Sequence, residues 1–205
     1  TGLSMQNNKT IGIVLPVSED DTYENSFFLE TMRGISLFCN QKQYFTTLIT
    51  GSSNEELLSA IRSMVKENHL DGIILLYSNE QDPIIDYLYE NGILFVQIGK
   101  ASQYPGETIC IDNDNILAAR EAVNHLYKLG HRKIGYVGTD LKRIFSADRK
   151  AGYMLALAEN NVPFQENYYL EMPQVPKNKT DRLLRFLSGE DRPTAVLVSD
   201  DILAM

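Results

Sequence analysis

Asn115-Ile-Leu-Ala-Ala-Arg-Glu-Ala-Val-Asn-His-Leu-Tyr-Lys-Leu-Gly-His-Arg-Lys-Ile-Gly-Tyr-Val137 decides the fold. The first part predicts an amphipathic helix over 115–129, ended by Gly130, and the second a strongly apolar strand over 134–137. The same rhythm extends outward in both directions. Towards the N-terminus, strands are expected over 11–15, 44–50, 73–76, 94–98 and 108–111. Between them, Phe28, Leu29, Met32, Ile35 and Cys39 recur at helical spacing over 26–41, and Leu57, Leu58, Ile61, Met64 and Val65 mark a second helix face. Ser53 and Glu56 have capping-box spacing, Asp82-Pro83 is an N-cap followed by proline, and Gly92 stands where a helix closes. Towards the C-terminus, helices are expected over 147–160 and 179–188, and strands over 168–172 and 195–198. Near-continuous apolar strands separated by amphipathic helices predict an α/β fold whose parallel sheet is covered on both faces.

Composition narrows the class. The 205 residues carry 19 Lys+Arg and 27 Asp+Glu, a net charge of −8, with 43% hydrophobic and 22% charged residues. These proportions exclude a disordered, collagen-like or disulfide-dense chain. No apolar run approaches the roughly 20 residues of a membrane-spanning helix. The polar start has no signal-peptide core, and two cysteines, Cys39 and Cys110, are too few for a disulfide framework, so the expected location is the cytoplasm. The acidic balance argues against nucleic-acid binding by these residues themselves. Charge also shifts along the chain, with 8 basic and 17 acidic residues over 1–130 against 11 and 10 over 131–205. With no low-complexity linker, a boundary near Gly130–His131 is expected as a crossover between packed lobes.

Open α/β sheets bind ligands at the carboxyl ends of their strands, so the motifs were sought there. Pro16-Val-Ser-Glu-Asp-Asp-Thr22 is acidic and glycine-free, unlike a pyrophosphate-binding turn. No Walker-type loop or nucleophile elbow occurs. His69, His125 and His131 lie far apart, and none pairs with a cysteine at metal-ligand spacing. Asp112-Asn-Asp-Asn115 resembles a calcium-loop start, but Leu117 stands where that loop needs glycine, so a strand exit with a helix cap is expected. Asn8-Lys-Thr10 and Asn178-Lys-Thr180 match glycosylation sequons by pattern only. The acidic cluster Glu19, Asp20, Asp21, Glu24 reads as a solvated loop. Arg149, in Phe145-Ser-Ala-Asp-Arg-Lys-Ala-Gly-Tyr153, sits at a loop-to-helix junction where its planar guanidinium could grip two ligand oxygens or pair with a carboxylate. Phe27 and Phe28 open a helix; either both are core or one is an apolar wall for a sugar face.

In joint order and spacing these stretches resemble the effector-binding core of the lactose-repressor/galactose-repressor family of bacterial transcription regulators. Ile11-Gly-Ile-Val-Leu-Pro16 resembles the first core strand, and Asn25-Ser-Phe-Phe-Leu-Glu-Thr-Met-Arg-Gly-Ile35 the helix start N-P-F-F…R-G-I, with Ser26 in place of proline. Asp71-Gly-Ile-Ile-Leu75, Asp114-Asn115, His125-Leu126 and Leu129-Gly-His-Arg-Lys-Ile-Gly135 match further family segments. Arg149-Lys-Ala-Gly-Tyr153 matches R-x-x-G-Y; Arg192-Pro-Thr-Ala-Val196 and Asp201-Ile-Leu-Ala204 match the last ones. The long loop 16–25, Leu76-Tyr-Ser78, Asp82-Pro-Ile-Ile-Asp86 and the doubled Asp-Asn most resemble the maltose-operon-regulator branch.

The resemblance implies two Rossmann-like parallel-sheet lobes, as in periplasmic binding proteins, with a sugar effector, favoured as maltose or a malto-oligosaccharide, in the cleft between them. It assigns 1–9 to a hinge tail, 10–130 to the N-terminal lobe and 131–205 to a C-terminal lobe that is incomplete at Met205. Phe27 and Phe28 would face the ligand from the first lobe, and Arg149 from the second. Asp200 stands where many members have asparagine, and Tyr77 and Asp114 line strand exits. Leu3 matches a hinge leucine that wedges into the DNA minor groove; it is expected to be disordered here, because the helix-turn-helix headpiece is absent. The implied partners are operator DNA, through that headpiece, and a second copy of the chain in a homodimer. The implied function is allosteric control of DNA binding, with no enzyme activity, cofactor, metal or membrane. A sugar-specific solute-binding protein and an α/β enzyme are the competing readings; no nucleophile, metal or cofactor constellation supports the enzyme.

Overall fold

Parallel strands joined by helical crossovers build two sheets. The computed structural model describes residues 8–17, 26–67, 69–172 and 179–204, so Leu3 and the acidic cluster at Glu19 to Glu24 lie outside the described residues. The chain divides into two compact units, Thr1–Asp112 and Asn113–Met205. Among the described residues no helix is long and apolar enough to cross a membrane.

The first unit runs β1 (Thr10–Val14), α1 (Ser26–Gln41), β2 (Phe45–Ile49), α2 (Asn54–Lys66), β3 (Gly72–Leu75), α3 (Pro83–Glu90), β4 (Phe95–Ile98) and β5 (Ile109–Ile111). Its sheet has the order β2-β1-β3-β4-β5, with every pair parallel. Side chains alternate between the faces of a strand, and the core follows that alternation. Val14, Ile73, Leu75 and Tyr77 pack with Leu57, Ile61, Ile84 and Leu88 of α2 and α3. Ile13, Leu15 and Leu76 pack with Phe28 and, at its margin, Met32 and Ile35 of α1. Both faces are apolar, which is why helices must cover both. Strand β5, at the sheet edge beside β4, departs from this pattern: all three of its residues are exposed.

Local signals set the helix ends. The Ser53 hydroxyl accepts from Glu56 N at 3.2 Å. The Glu56 carboxylate reaches one residue further back than a capping box requires, accepting from Ser52 N at 2.8 Å and Ser52 Oγ at 2.7 Å. Asp82 accepts from Ile84 N at 2.8 Å, Pro83 opens α3, and Gly92 follows its end at φ +64°.

The second unit runs α4 (Asn115–Lys128), β6 (Ile134–Gly138), α5 (Ile144–Glu159), β7 (Tyr169–Glu171), α6 (Lys179–Leu187), β8 (Ala195–Val198) and α7 (Asp201–Ala204). Its sheet is parallel, in the order β7-β6-β8. Val123, Ile134, Tyr136, Tyr153, Ala156 and Leu157 form one core layer, and Val137, Met172 and Leu203 the other. Helix α5 begins at Ile144, three residues before the expected start. Arg143 at its N-cap makes no side-chain cap bond, so nothing local marks the turn; instead, Ser146 Oγ donates to Thr139 O at 3.1 Å and ties the first turn to the end of β6.

The division between units also falls earlier than the expected Gly130–His131 boundary, at Asp112–Asn113. Helix α4 belongs with the second unit because α5 packs directly on it. A Cβ at Gly152 would lie 2.2 Å from Ile116 O and 3.0 Å from Ala119 Cβ, so only glycine permits this approach. Gly152→Ala is therefore expected to destabilise the second unit by roughly 1–3 kcal/mol, as overpacking typically does. Urea unfolding measures the loss; an unchanged midpoint would show that the helices can part freely.

Candidate functional site

The ends of β6 and β8 and the starts of α4 and α5 meet around Arg149. Arg149 lies one turn before Gly152 on α5, so the close approach at Gly152 carries its guanidinium to the start of α4. There Arg149 Nε donates to Asn115 Oδ1 at 2.9 Å. Arg149 Nη1 donates to the Ser199 carbonyl just past β8, and the guanidinium lies over the Phe145 ring, 4.9 Å from its centroid. Asn115 is itself buried and held by a bond from its Nδ2 to Asn113 O at 3.1 Å. The sequence also allows a carboxylate partner, but both bonded acceptors are neutral. A guanidinium fixed by neutral acceptors keeps its charge and remaining N–H groups for a ligand.

Arg143 is a second, half-buried cation at this end of the sheet. Burial lowers its pKa, while the charges of Asp140 and Asp200 act the other way. Asp200 precedes α7, and its carbonyl accepts from Ala204 N at 3.1 Å. Asp140 Oδ1 accepts from Lys142 N at 2.9 Å. Asp114 caps α4, accepting from Leu117 N at 2.8 Å, so 112–115 forms a strand exit and a helix cap as expected. Arg143 is thus offset by Asp140 and Asp200, and Asp114 is an exposed carboxylate at the start of α4.

The sequence missed Asn115, Ser199 and Arg143. Asn115 stands in a cap and in the Asp114-Asn115 family segment, neither of which assigns it a role beside Arg149; Ser199 acts through its backbone, and Arg143 lies in a loop without a motif. His125 is exposed in the last turn of α4, which fits an ordinary helix histidine.

In the first unit the two phenylalanines separate. Phe28 is core, and Phe27 is 47% exposed, the rings meeting edge-to-face with centroids 5.5 Å apart. Phe27 can therefore offer an apolar wall, whereas Phe28 supports it from within. Tyr77 is buried in the core rather than lining an open exit. Its pKa is driven well above the ordinary value by burial and then by the charge of Asp82. Gln97, fully buried, donates to Tyr77 O at 3.2 Å. Burial likewise raises the pKa of Asp82, opposed by the N–H of Ile84. The folded chain thus holds this proton more tightly than the unfolded chain, and ionisation costs stability once pH exceeds the unfolded value of about 3.9. Asp82→Asn retains a capping oxygen. Its stability relative to the parent chain should rise between about pH 3 and pH 7 in denaturant titrations; a constant difference would contradict the burial effect.

Comparisons with known proteins bear on the family and the fold. The family model for periplasmic binding proteins and the sugar-binding domain of the LacI family matches residues 8–205. The transcriptional regulator MalR of Streptococcus pneumoniae is 32% identical over 202 residues, covering 96% of this chain and 60% of the relative, so the chain spans about 60% of that regulator's length. A crystal structure of a LacI transcriptional regulator from Bacillus cereus superposes with a TM-score of 0.87 at 35% identity, covering 95% of this chain and 69% of the other. A structure described as a maltose operon transcriptional repressor, malR, from Staphylococcus gives a TM-score of 0.86 at 27% identity, covering 97% of this chain and 71% of the other. Its relatives include MalR regulators at 28–32% identity and PurR repressors at 27–30%, and the chain belongs to the family of periplasmic binding proteins and LacI-family sugar-binding domains.

Proposed function

We propose that this chain is the effector-binding domain of a bacterial transcription regulator and that its effector is a neutral sugar of the maltose series. The observation that carries this reading is Arg149, held between Asn115 and the Ser199 carbonyl at the strand ends. In the second unit, Arg149 supplies paired N–H donors to vicinal hydroxyls, and Asp200 and Asp114 carry acceptor oxygens; in the first unit, taken by itself, Phe27 carries an exposed apolar ring of the kind that sugar C–H groups favour. Phe28 and Tyr77 act from behind, holding the wall and the strand end. Asp140 and Asp200 offset Arg143, and the carboxylates of Asp200 and Asp114 would repel an anion, which favours a neutral polyol over a sugar phosphate.

The ligand controls DNA only through linkage: it shifts operator affinity by its differential affinity for two conformations of the regulator. Operator binding belongs to a headpiece outside these residues. A homodimer suits a two-fold operator, the cytoplasm is the corresponding compartment, and no catalytic step is assigned.

Calorimetry of the complete protein with maltose, maltotriose and glucose 6-phosphate tests the reading. The neutral sugars should bind and the phosphate should not. Arg149→Ala should weaken maltose binding roughly 10- to 100-fold, the usual loss for a charged hydrogen-bond donor. Arg149→Lys should fail to restore it, because an ammonium cannot reproduce the planar fork. Unchanged affinity in Arg149→Ala would sink the site. In the same preparation, a change in operator affinity on adding maltose separates a regulator from a solute-binding protein.

A further inference from the structure

Beneath Arg149 lie two buried hydroxyls that have no hydrogen-bond partner among the described residues. Tyr136 on β6 is 0% exposed and Ser199 is 5% exposed; the two hydroxyls are close enough for Ser199 to act on Tyr136, yet neither Tyr136 Oη nor Ser199 Oγ completes a hydrogen bond among the described residues. They share one face of the sheet. Tyr136 is the register partner of Leu197, and Ser199 follows Leu197 by two residues, with Ser199 N continuing the ladder to Val137 O at 2.8 Å. Gly138 lets the Tyr136 ring lean along the strand towards its carboxyl end: a Cβ there would lie 2.5 Å from Tyr136 Cε1 and 3.3 Å from Tyr136 Oη. The hydroxyl so delivered feels both the Ser199 hydroxyl and the Arg149 charge, although burial dominates and pushes the phenol up to about 12. It therefore stays protonated and able to donate.

A buried hydroxyl without a partner is costly, and phenylalanine would fill the same space at Tyr136 without that cost. Ser199 has a second connection that explains why the hydroxyl matters: its carbonyl is one of the two acceptors that hold Arg149. We propose that Tyr136 and Ser199 are positioning residues for effector binding, the Ser199 hydroxyl turning onto that of Tyr136 when ligand engages Arg149 and so locking the carbonyl on which Arg149 rests. This rests on the reading of Arg149 as the effector-binding cation.

The test measures maltose affinity by calorimetry, and the melting temperature of the ligand-free protein, for Tyr136→Phe, Ser199→Ala, the double variant and Ser199→Thr. Each hydroxyl deletion should weaken maltose binding about tenfold, and the double variant no more than either single one, because both remove the same contact. Ser199→Thr should retain affinity. The ligand-free melting temperature should be unchanged or higher, since an unpartnered buried hydroxyl has been removed. Unchanged affinity in Tyr136→Phe, additive losses in the double variant, or a lower melting temperature with unaltered binding would each overturn the proposal. If the parent protein fails to bind maltose, or Arg149→Ala binds it normally, the effector-site reading falls and the positioning pair falls with it; loss in Arg149→Ala with none in Tyr136→Phe removes the pair alone.

Discussion

Helix α5 meets helix α4 at Gly152 without a side chain between them, and Arg149 exploits that closeness. A Cβ would sit 2.2 Å from the Ile116 carbonyl, so the two helices touch backbone to backbone. One turn earlier, this brings the guanidinium within hydrogen-bonding reach of Asn115 at the start of α4 and of the carbonyl that follows β8. Three elements separated along the chain are thereby joined by one side chain. Because its bonded acceptors carry no charge, the arginine is oriented without being neutralised, which is the condition a ligand-binding cation needs.

The strand ends in both units mark where the apolar run stops and polar chemistry begins. In the first unit Tyr77, Asp82 and Gln97 cluster under α3, with each side chain buried and Asp82 fixing the helix start. In the second unit Thr139, Ser146, Asn115 and Ser199 are the buried polar set, surrounded by Arg143, Asp140 and Asp200. A parallel sheet leaves its carboxyl-end loops free to vary, so polar residues collect there without disturbing the apolar layers. In the second unit Arg149, fixed by Asn115 and the Ser199 carbonyl, joins this set.

Much of the framework was legible because its causes are local. The alternation of Ile73, Ile74, Leu75 and Leu76 between two apolar layers, the Asp82-Pro83 cap, and the glycines after α3 and α4 each act within a few residues. The resemblance carried by Arg149-Lys-Ala-Gly-Tyr153 located the arginine, and the geometry adds why the glycine belongs to the same motif. Where causes were not local, the reading missed. Helix α5 starts early because Ser146 bonds to Thr139 across the loop, and α4 joins the second unit because of its packing against α5. Glu56 reaches to Ser52 through a choice among nearby donors that spacing alone does not resolve.

The sequence by itself determined the α/β class, the order of strands and helices and the family, since periodicity and motif order are properties of the chain read in line. Which phenylalanine is core and which is wall, which neutral groups hold Arg149, and which hydroxyls lie beneath it were decided only by tertiary structure. Arg149 meets Asn115 across 34 residues and the Ser199 carbonyl across 50, and pairings at such separations depend on how helices pack against a sheet rather than on any local preference.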